Sequence, residues 1–292
     1  MLYLESFRLA SADNEDDFVL SYPYQLEMQC YTHNVYPFKI FPEKGLKGIA
    51  FQPVTILYGG NGSGKSTLLN IIAQKLRLSR SAPFNNTPYF EDYLRFCSYS
   101  LSGGTRVPEG SKYIASDDVF DYLLNLRAIN DGIADRREKL FCEYYEGRAS
   151  RYKLRSLDDY DELKRRNEAK RKTPSKYISE RLPSEISGGS NGESAFAYFV
   201  HEIGEDALYL LDEPENSLSV KLQLELCEFL ENSARFFGCQ FIIATHSPIL
   251  LSMKGACVYD LDARPVCIRN WTELTNVREW FDFFEKHRKS FM

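Results

Sequence analysis

No apolar run in this sequence approaches the roughly 18 residues that a transmembrane helix needs. The longest candidates, Ala207 to Leu211 and Phe241 to Ala244, have the length of strands. The opening MLYLESFRLA carries Glu5 and no basic cluster, so it does not read as a secretory signal. Cysteine is sparse: seven residues, an odd number, with no C-x-x-C pair. That argues against a disulfide framework and a zinc site, and it suits a reducing, cytoplasmic setting. A strong excess of one charge is missing too. The 36 Lys+Arg against 41 Asp+Glu leave −5 over 292 residues, which does not fit a chain that coats nucleic acid along its whole surface. What the sequence does have is aromatic bulk. Its 20 Phe and 19 Tyr supply too much burial for a disordered chain. The length suits one large α/β domain or two modest ones.

The first fifty residues read as short strands and turns, with Leu2, Leu4, Phe7 and Leu9 in an imperfect strand alternation. Pro53–Tyr58 is a buried-type strand and runs into a glycine-rich turn. A helical pattern follows, with Leu68, Leu69, Ile71, Ile72 and Leu76 on one side. Residues 79–116 look loop-rich with short strands. From about Ser116 the pattern turns helical, and 131–185 is polar, charged and helix-like, broken at Pro174 and Pro183. A second α/β block then has a helix through about Ile203, a strand at 207–211, a helix near 219–236 and a strand at 239–244. A short helix follows Pro248, then strands at 256–261 and 265–269 and a final helix near 272–287.

Three motifs carry chemistry. Gly59-Gly60-Asn61-Gly62-Ser63-Gly64-Lys65-Ser66-Thr67 matches the phosphate-binding loop in full, between a strand and a helix. Its glycines let backbone N–H groups turn inward around phosphates, and the helix N-terminus adds a favourable dipole. Lys65 would bridge the β- and γ-phosphates of ATP, and Ser66 would ligate Mg²⁺. In Ala207–Glu215, an apolar strand delivers an acidic pair to its C-terminal end. Asp212 would hold Mg²⁺ indirectly, from behind its direct ligands or through water, and Glu213 would polarise the attacking water. In Phe241–Ser247 a third buried strand, expected beside the Asp212 strand, ends in His246, placed to hydrogen-bond the γ-phosphate.

The phosphate loop, the DEPE of 212–215, the ENSLS of 215–219 and the THSP of 245–248 together resemble the ABC-type ATPases. The likeness is to their soluble branch of chromosome-structural, recombinational-repair and phage-defence ATPases. More narrowly, the chain is similar to stand-alone bacterial ATPases of about this length, through Tyr36-Pro37-Phe38, 116–121, 190–194 and 245–248. The resemblance implies an α/β P-loop fold of the ABC-ATPase head type: a mixed sheet with flanking helices, an N-terminal β-rich subdomain and a helical lobe. It implies a single domain over 1–292. The β-rich part with the phosphate loop would span 1–116 and the helical lobe 117–189. The signature helix, DEPE strand, His loop and C-terminal helix would span 190–292. It also implies a head-to-tail homodimer with two ATP molecules sandwiched between subunits, the signature serine of one subunit reaching the γ-phosphate held by the other.

Two registers compete for that signature. Ile186-Ser187-Gly188-Gly189 copies the familiar letters with Ile for Leu, but no Gln or Glu follows. Ser190-Asn191-Gly192-Glu193 keeps the acidic residue, lies 22 residues before Asp212 rather than 25, and leads directly into the stripe Ala195, Phe196, Phe199, Val200. Capping and spacing favour Ser190, with Gly192. The sequence departs from the family pattern in two places. There is no Gln between Lys75 and Ser190, so the usual glutamine loop is missing, with Ser116 or Asp117 at its place. Ser219 stands where an Asp usually ends the loop after DEPE. Phe38 and Tyr36 are candidates for the adenine-stacking residue.

Charge is unevenly spread. Residues 148–181 hold 12 Lys/Arg against 6 Asp/Glu, leaving −11 on the rest. That segment reads either as a contact for nucleic acid or an acidic effector protein, or as a solvated helix face. It has no sustained heptads, hence no coiled-coil arm. The expected function is an ATP-hydrolysing switch that acts on or with nucleic acid or a partner effector. Its competitors are an ATP-gated scaffold with little turnover and, against the missing glutamine loop, a transporter nucleotide-binding subunit.

Overall fold

The structure, a computed structural model, describes residues 1–21, 35–104, 106–149, 171, 178, 180 and 190–292. The chain runs through β1 (Leu4–Arg8), α1 (Ala12–Val19), β2 (Gly48–Ala50), β3 (Val54–Tyr58), α2 (Lys65–Leu76), α3 (Phe90–Phe96), β4 (Ser98–Leu101), β5 (Lys112–Ala115) and α4 (Ser116–Ala149). It continues with α5 (Asn191–Glu202), β6 (Leu208–Asp212), α6 (Val220–Phe236), β7 (Gln240–Thr245), α7 (Pro248–Leu251), β8 (Cys257–Asp260), β9 (Cys267–Ile268) and α8 (Thr275–Lys286). These residues form two compact units, Met1–Val119 with Ala195–Met292, and Phe120–Ser194.

The first unit is mixed α/β. Its main sheet has the order β5-β6-β7-β3-β8-β9. All neighbours are parallel except β8 and β9. Every residue of β3 and β7 is buried, as expected of parallel strands covered on both faces. The three-stranded antiparallel sheet β2-β1-β4 lies apart from it. Buried side chains join the two, among them Gln240, which opens β7, accepts from the N–H groups of Tyr3 and Leu4, both at 2.8 Å, and donates to the Leu4 carbonyl at 2.8 Å. An amide fits this place because it offers acceptor and donor together.

Two helices lie where the sequence reads as strands, turns or loop. In α1 the Ser11 side chain accepts from Asn14 N, with Asp13 and Glu15 in the first turn. The acidic composition hides the helix, and the cap is its only strong signal. In α3, Phe90, Tyr93 and Leu94 are buried at i, i+3 and i+4. Phe38 is also not a base-stacking residue. It is 2% exposed, with the Phe18 ring stacked on it at 4.6 Å and Tyr93 edge-on at 5.0 Å.

In the second unit, α4 runs unbroken to Ala149, and Leu140, Tyr144 and Ile178 form a small buried cluster. Most of the basic 148–181 segment, and the register at Ser187, lie outside the described residues. Among the described residues no helix is long and apolar enough to cross a membrane.

Candidate active site

The carboxyl ends of β3, β6 and β7 face one edge of the sheet, which brings the three motifs together. The loop between β3 and α2 can take its path only with glycine at Gly59 and Gly64. A Cβ on Gly59 would lie 2.5 Å from Ser63 Oγ, and Gly64 sits at φ +94°. The loop closes on itself through Ser63 N to the Gly60 carbonyl, 3.1 Å. Gly60 N donates to Asp262 Oδ2 at 2.8 Å, and the buried Asp260 fixes that residue by accepting from Asp262 N. Gly62 sits at φ +79° and Asn61 is exposed beside it. Among the described residues, the buried Ser63 hydroxyl has no hydrogen-bond partner. A glycine cradle around an unpartnered buried hydroxyl, at a helix N-terminus, fits the phosphate chain of ATP.

Lys65 is 4% exposed, and its ammonium turns back into the loop. It donates to the carbonyls of Gly59 at 2.6 Å and Gly60 at 3.1 Å, and lies 3.5 Å from Glu213 Oε1. Ser66 donates to Asp212 Oδ1 at 3.0 Å, across 146 positions of chain. Burial raises the Asp212 carboxyl, while the hydroxyls of Ser66 and Tyr113 pull it back down. This pair of oxygens, one from a hydroxyl and one from a carboxylate, suits a hard divalent cation such as Mg²⁺. Thr67 accepts from the Tyr36 hydroxyl at 3.2 Å.

Glu213 has its backbone in the left-handed region, φ +49°, which is uncommon for a non-glycine residue. Its N–H is held by the Ala244 carbonyl of β7 at 2.9 Å. This conformation aims the carboxylate back at the site. Glu213 Oε1 lies 3.6 Å from His246 Nδ1, and Asn216 donates to Oε2 at 3.4 Å. His246 is half exposed and also lies 3.4 Å from Glu215 Oε1. Its carbonyl accepts from Asn276 of α8 at 2.8 Å.

An open cleft of about 460 Å³ flanks this edge, lined among others by Tyr36, Ser66, Thr67, Asp117, Asp212 and Glu213. Ser116, which follows β5, lines it as well. In the second unit Ser190 forms a capping box. Glu193 Oε2 accepts from Ser190 N at 2.7 Å, and Ser190 Oγ accepts from Glu193 N at 3.4 Å. Gly192 falls in the first turn of α5. Ser219 caps α6, accepting from Leu222 N at 3.4 Å.

The motif reading overlooks several residues. Glu215 is 6% exposed, and its Oε1 accepts from Thr245 Oγ1 at 2.6 Å, His246 N at 3.0 Å and Ser247 N at 3.2 Å. It lies inside the quoted DEPE, so the acidic spacing itself was the available signal. Tyr113, donating to Asp212 Oδ2 at 2.9 Å, had no sequence signal, because the contact depends on β5 lying beside β6. Asp262 had only its place just past β8, beside the phosphate-loop strand.

Comparison with known proteins gives a match over residues 98–252 to the family model described as "AAA domain, putative AbiEii toxin, Type IV TA system". Among solved structures, the chain is similar to the Smc head domain with an extended coiled coil, bound to the C-terminal domain of ScpA, from Pyrococcus furiosus. Identity is 16%, coverage 99% of this chain and 100% of that one, and TM-score 0.44. It is also similar to the SMC head domain from Thermotoga maritima, at 16% identity, 91% and 98% coverage and TM-score 0.40.

Proposed function

The chain belongs to this AAA domain family, and from that premise we propose that it is an ATP-hydrolysing switch working as a head-to-tail homodimer. The observation that supports it best is the meeting of Lys65, Ser66, Asp212, Glu213 and His246 at one sheet edge, with Ser66 bonded to Asp212. In this reading the phosphates of ATP lie in the loop 59–67, and Lys65 leaves the Gly59 and Gly60 carbonyls for their β- and γ-oxygens. Ser66 and Asp212 hold Mg²⁺, which when bound neutralises phosphate charge and the charge that develops during transfer. Glu213 orients water toward the γ-phosphorus and takes its proton as the bond to the bridging oxygen breaks, releasing ADP and phosphate. His246, between two carboxylates, donates to the γ-phosphate. Ser190 and Gly192, at a helix N-terminus, complete the site of the opposite subunit. Two shared nucleotides close the dimer and hydrolysis reopens it. The basic 148–181 segment engages nucleic acid or a partner effector.

The test is Glu213→Gln, which keeps size and hydrogen bonding but removes the base. It should elute as a dimer with ATP and Mg²⁺ and release little phosphate. A monomer under those conditions, or turnover at the wild-type rate, rejects the reading.

A further inference from the structure

The Asp212 carboxylate is held on both oxygens, and only one of the two donors is a metal-ligand candidate. Ser66 Oγ holds Oδ1 at 3.0 Å from α2, and Tyr113 holds Oδ2 at 2.9 Å from β5. Tyr113 is 3% exposed. The Arg80 guanidinium lies 4.4 Å above its ring and 4.5 Å from the Phe84 ring, and Arg80 is itself tied to Asn70 Oδ1 at 2.8 Å. The ring is therefore packed on its face, and among the described residues its hydroxyl bonds Asp212.

A buried phenylalanine would fill this space equally well. A hydroxyl there is costly unless it is bonded, and its bond goes to a carboxylate, the stronger kind. When Ser66 turns a lone pair toward a cation, its O–H can still donate to Oδ1, but that hydroxyl is then shared with the metal. Tyr113 is the donor on the carboxylate that takes no part in metal ligation.

We infer that Tyr113 is a positioning residue that keeps the Asp212 carboxylate aimed at the cation through metal entry and exit. This rests on Asp212 serving the metal, as proposed above. Rigid outer partners of this kind set metal affinity by orienting the ligand.

The experiment is Tyr113→Phe in the full chain, read by Mn²⁺ titration with electron paramagnetic resonance at saturating ATP, and by ATP affinity in EDTA. The variant should bind Mn²⁺ about tenfold more weakly, the loss expected for one hydrogen bond to a charged group. ATP affinity in EDTA and the melting temperature should stay at wild-type values. In an Asp212→Asn background, adding Tyr113→Phe should weaken Mn²⁺ binding no further. Mn²⁺ affinity within twofold of wild type overturns the inference, as does a parallel fall in melting temperature and metal-free ATP affinity, which would make Tyr113 a packing residue. If wild type and Asp212→Asn bind Mn²⁺ alike, the fault lies with the proposed role of Asp212 instead.

Discussion

Glu215 grips the loop that carries His246: one carboxylate oxygen, Oε1, accepts from the N–H of His246 at 3.0 Å and also lies 3.4 Å from its ring Nδ1. The same oxygen takes the Thr245 hydroxyl and Ser247 N–H, so the segment after β6 and the segment after β7 meet at a single atom. Glu215→Ala strands the Thr245 hydroxyl and His246 N–H, while Ser247 N keeps Thr245 Oγ1, and should cost about 3 kcal/mol, at roughly 1–3 kcal/mol per unsatisfied group. Glu215→Gln keeps an acceptor and should cost about 1 kcal/mol. Urea unfolding measures both. A loss for the alanine variant no larger than for the glutamine variant would mean the carboxylate does not hold the loop.

Lys65→Met keeps an apolar stem of similar length in the loop and removes the ammonium. ATP affinity by calorimetry should fall about a hundredfold, the scale of a charge-assisted contact to phosphate. Stability should fall by about 1–3 kcal/mol as well, because the buried Gly59 carbonyl loses its donor, so affinity is measured where the variant is fully folded. Unaltered affinity would place the nucleotide elsewhere.

Ser190→Ala separates a cap from a catalytic contact. Loss of the cap alone should lower stability by about 1 kcal/mol. If Ser190 also reaches the nucleotide of the opposite subunit, phosphate release should drop at least tenfold under conditions where the variant is fully folded. Normal turnover would move the signature role to the Ser187 register.

Glu15 gives a pH prediction. It is 1% exposed, its Oε2 accepts from Lys39 N, and burial holds its carboxyl above the usual range. The folded state therefore keeps the proton longer than the unfolded one. The stability this provides is present below the unfolded value and is lost as pH rises through the folded value. Glu15→Gln removes the titration. The variant's stability relative to wild type should rise as pH climbs above the usual carboxylate range in urea melts. A difference that is flat with pH would show that Glu15 does not contribute.

The candidate site was legible where a motif states its own geometry. Gly59, Gly64 and Lys65 need no partner to be recognised, and Asp212 is marked by the apolar strand that ends in an acidic pair. The neighbouring places of β6 and β7 also followed from their apolar runs and matched polar ends. What stayed hidden depends on strand order or on composition. Tyr113 meets Asp212 only because β5 flanks β6, and Asp262 meets Gly60 only because β8 flanks β3. Polar residues conceal α1, and Phe38 looked available because nothing local reveals that Phe18 covers it.

The parallel order of β5, β6, β7, β3 and β8 has a practical outcome for anyone wishing to watch this molecule work. All five strands deliver their carboxyl ends to one rim, so their amino ends form a second rim with a different character. Lys254 is exposed there, just ahead of β8, beside Gly255. Five strand residues separate that rim from the phosphate loop, about 17 Å at the usual rise. A fluorophore carried at Lys254 would thus ride on the same rigid sheet as the reacting groups while touching none of them. That makes the quiet rim the natural place for a reporter.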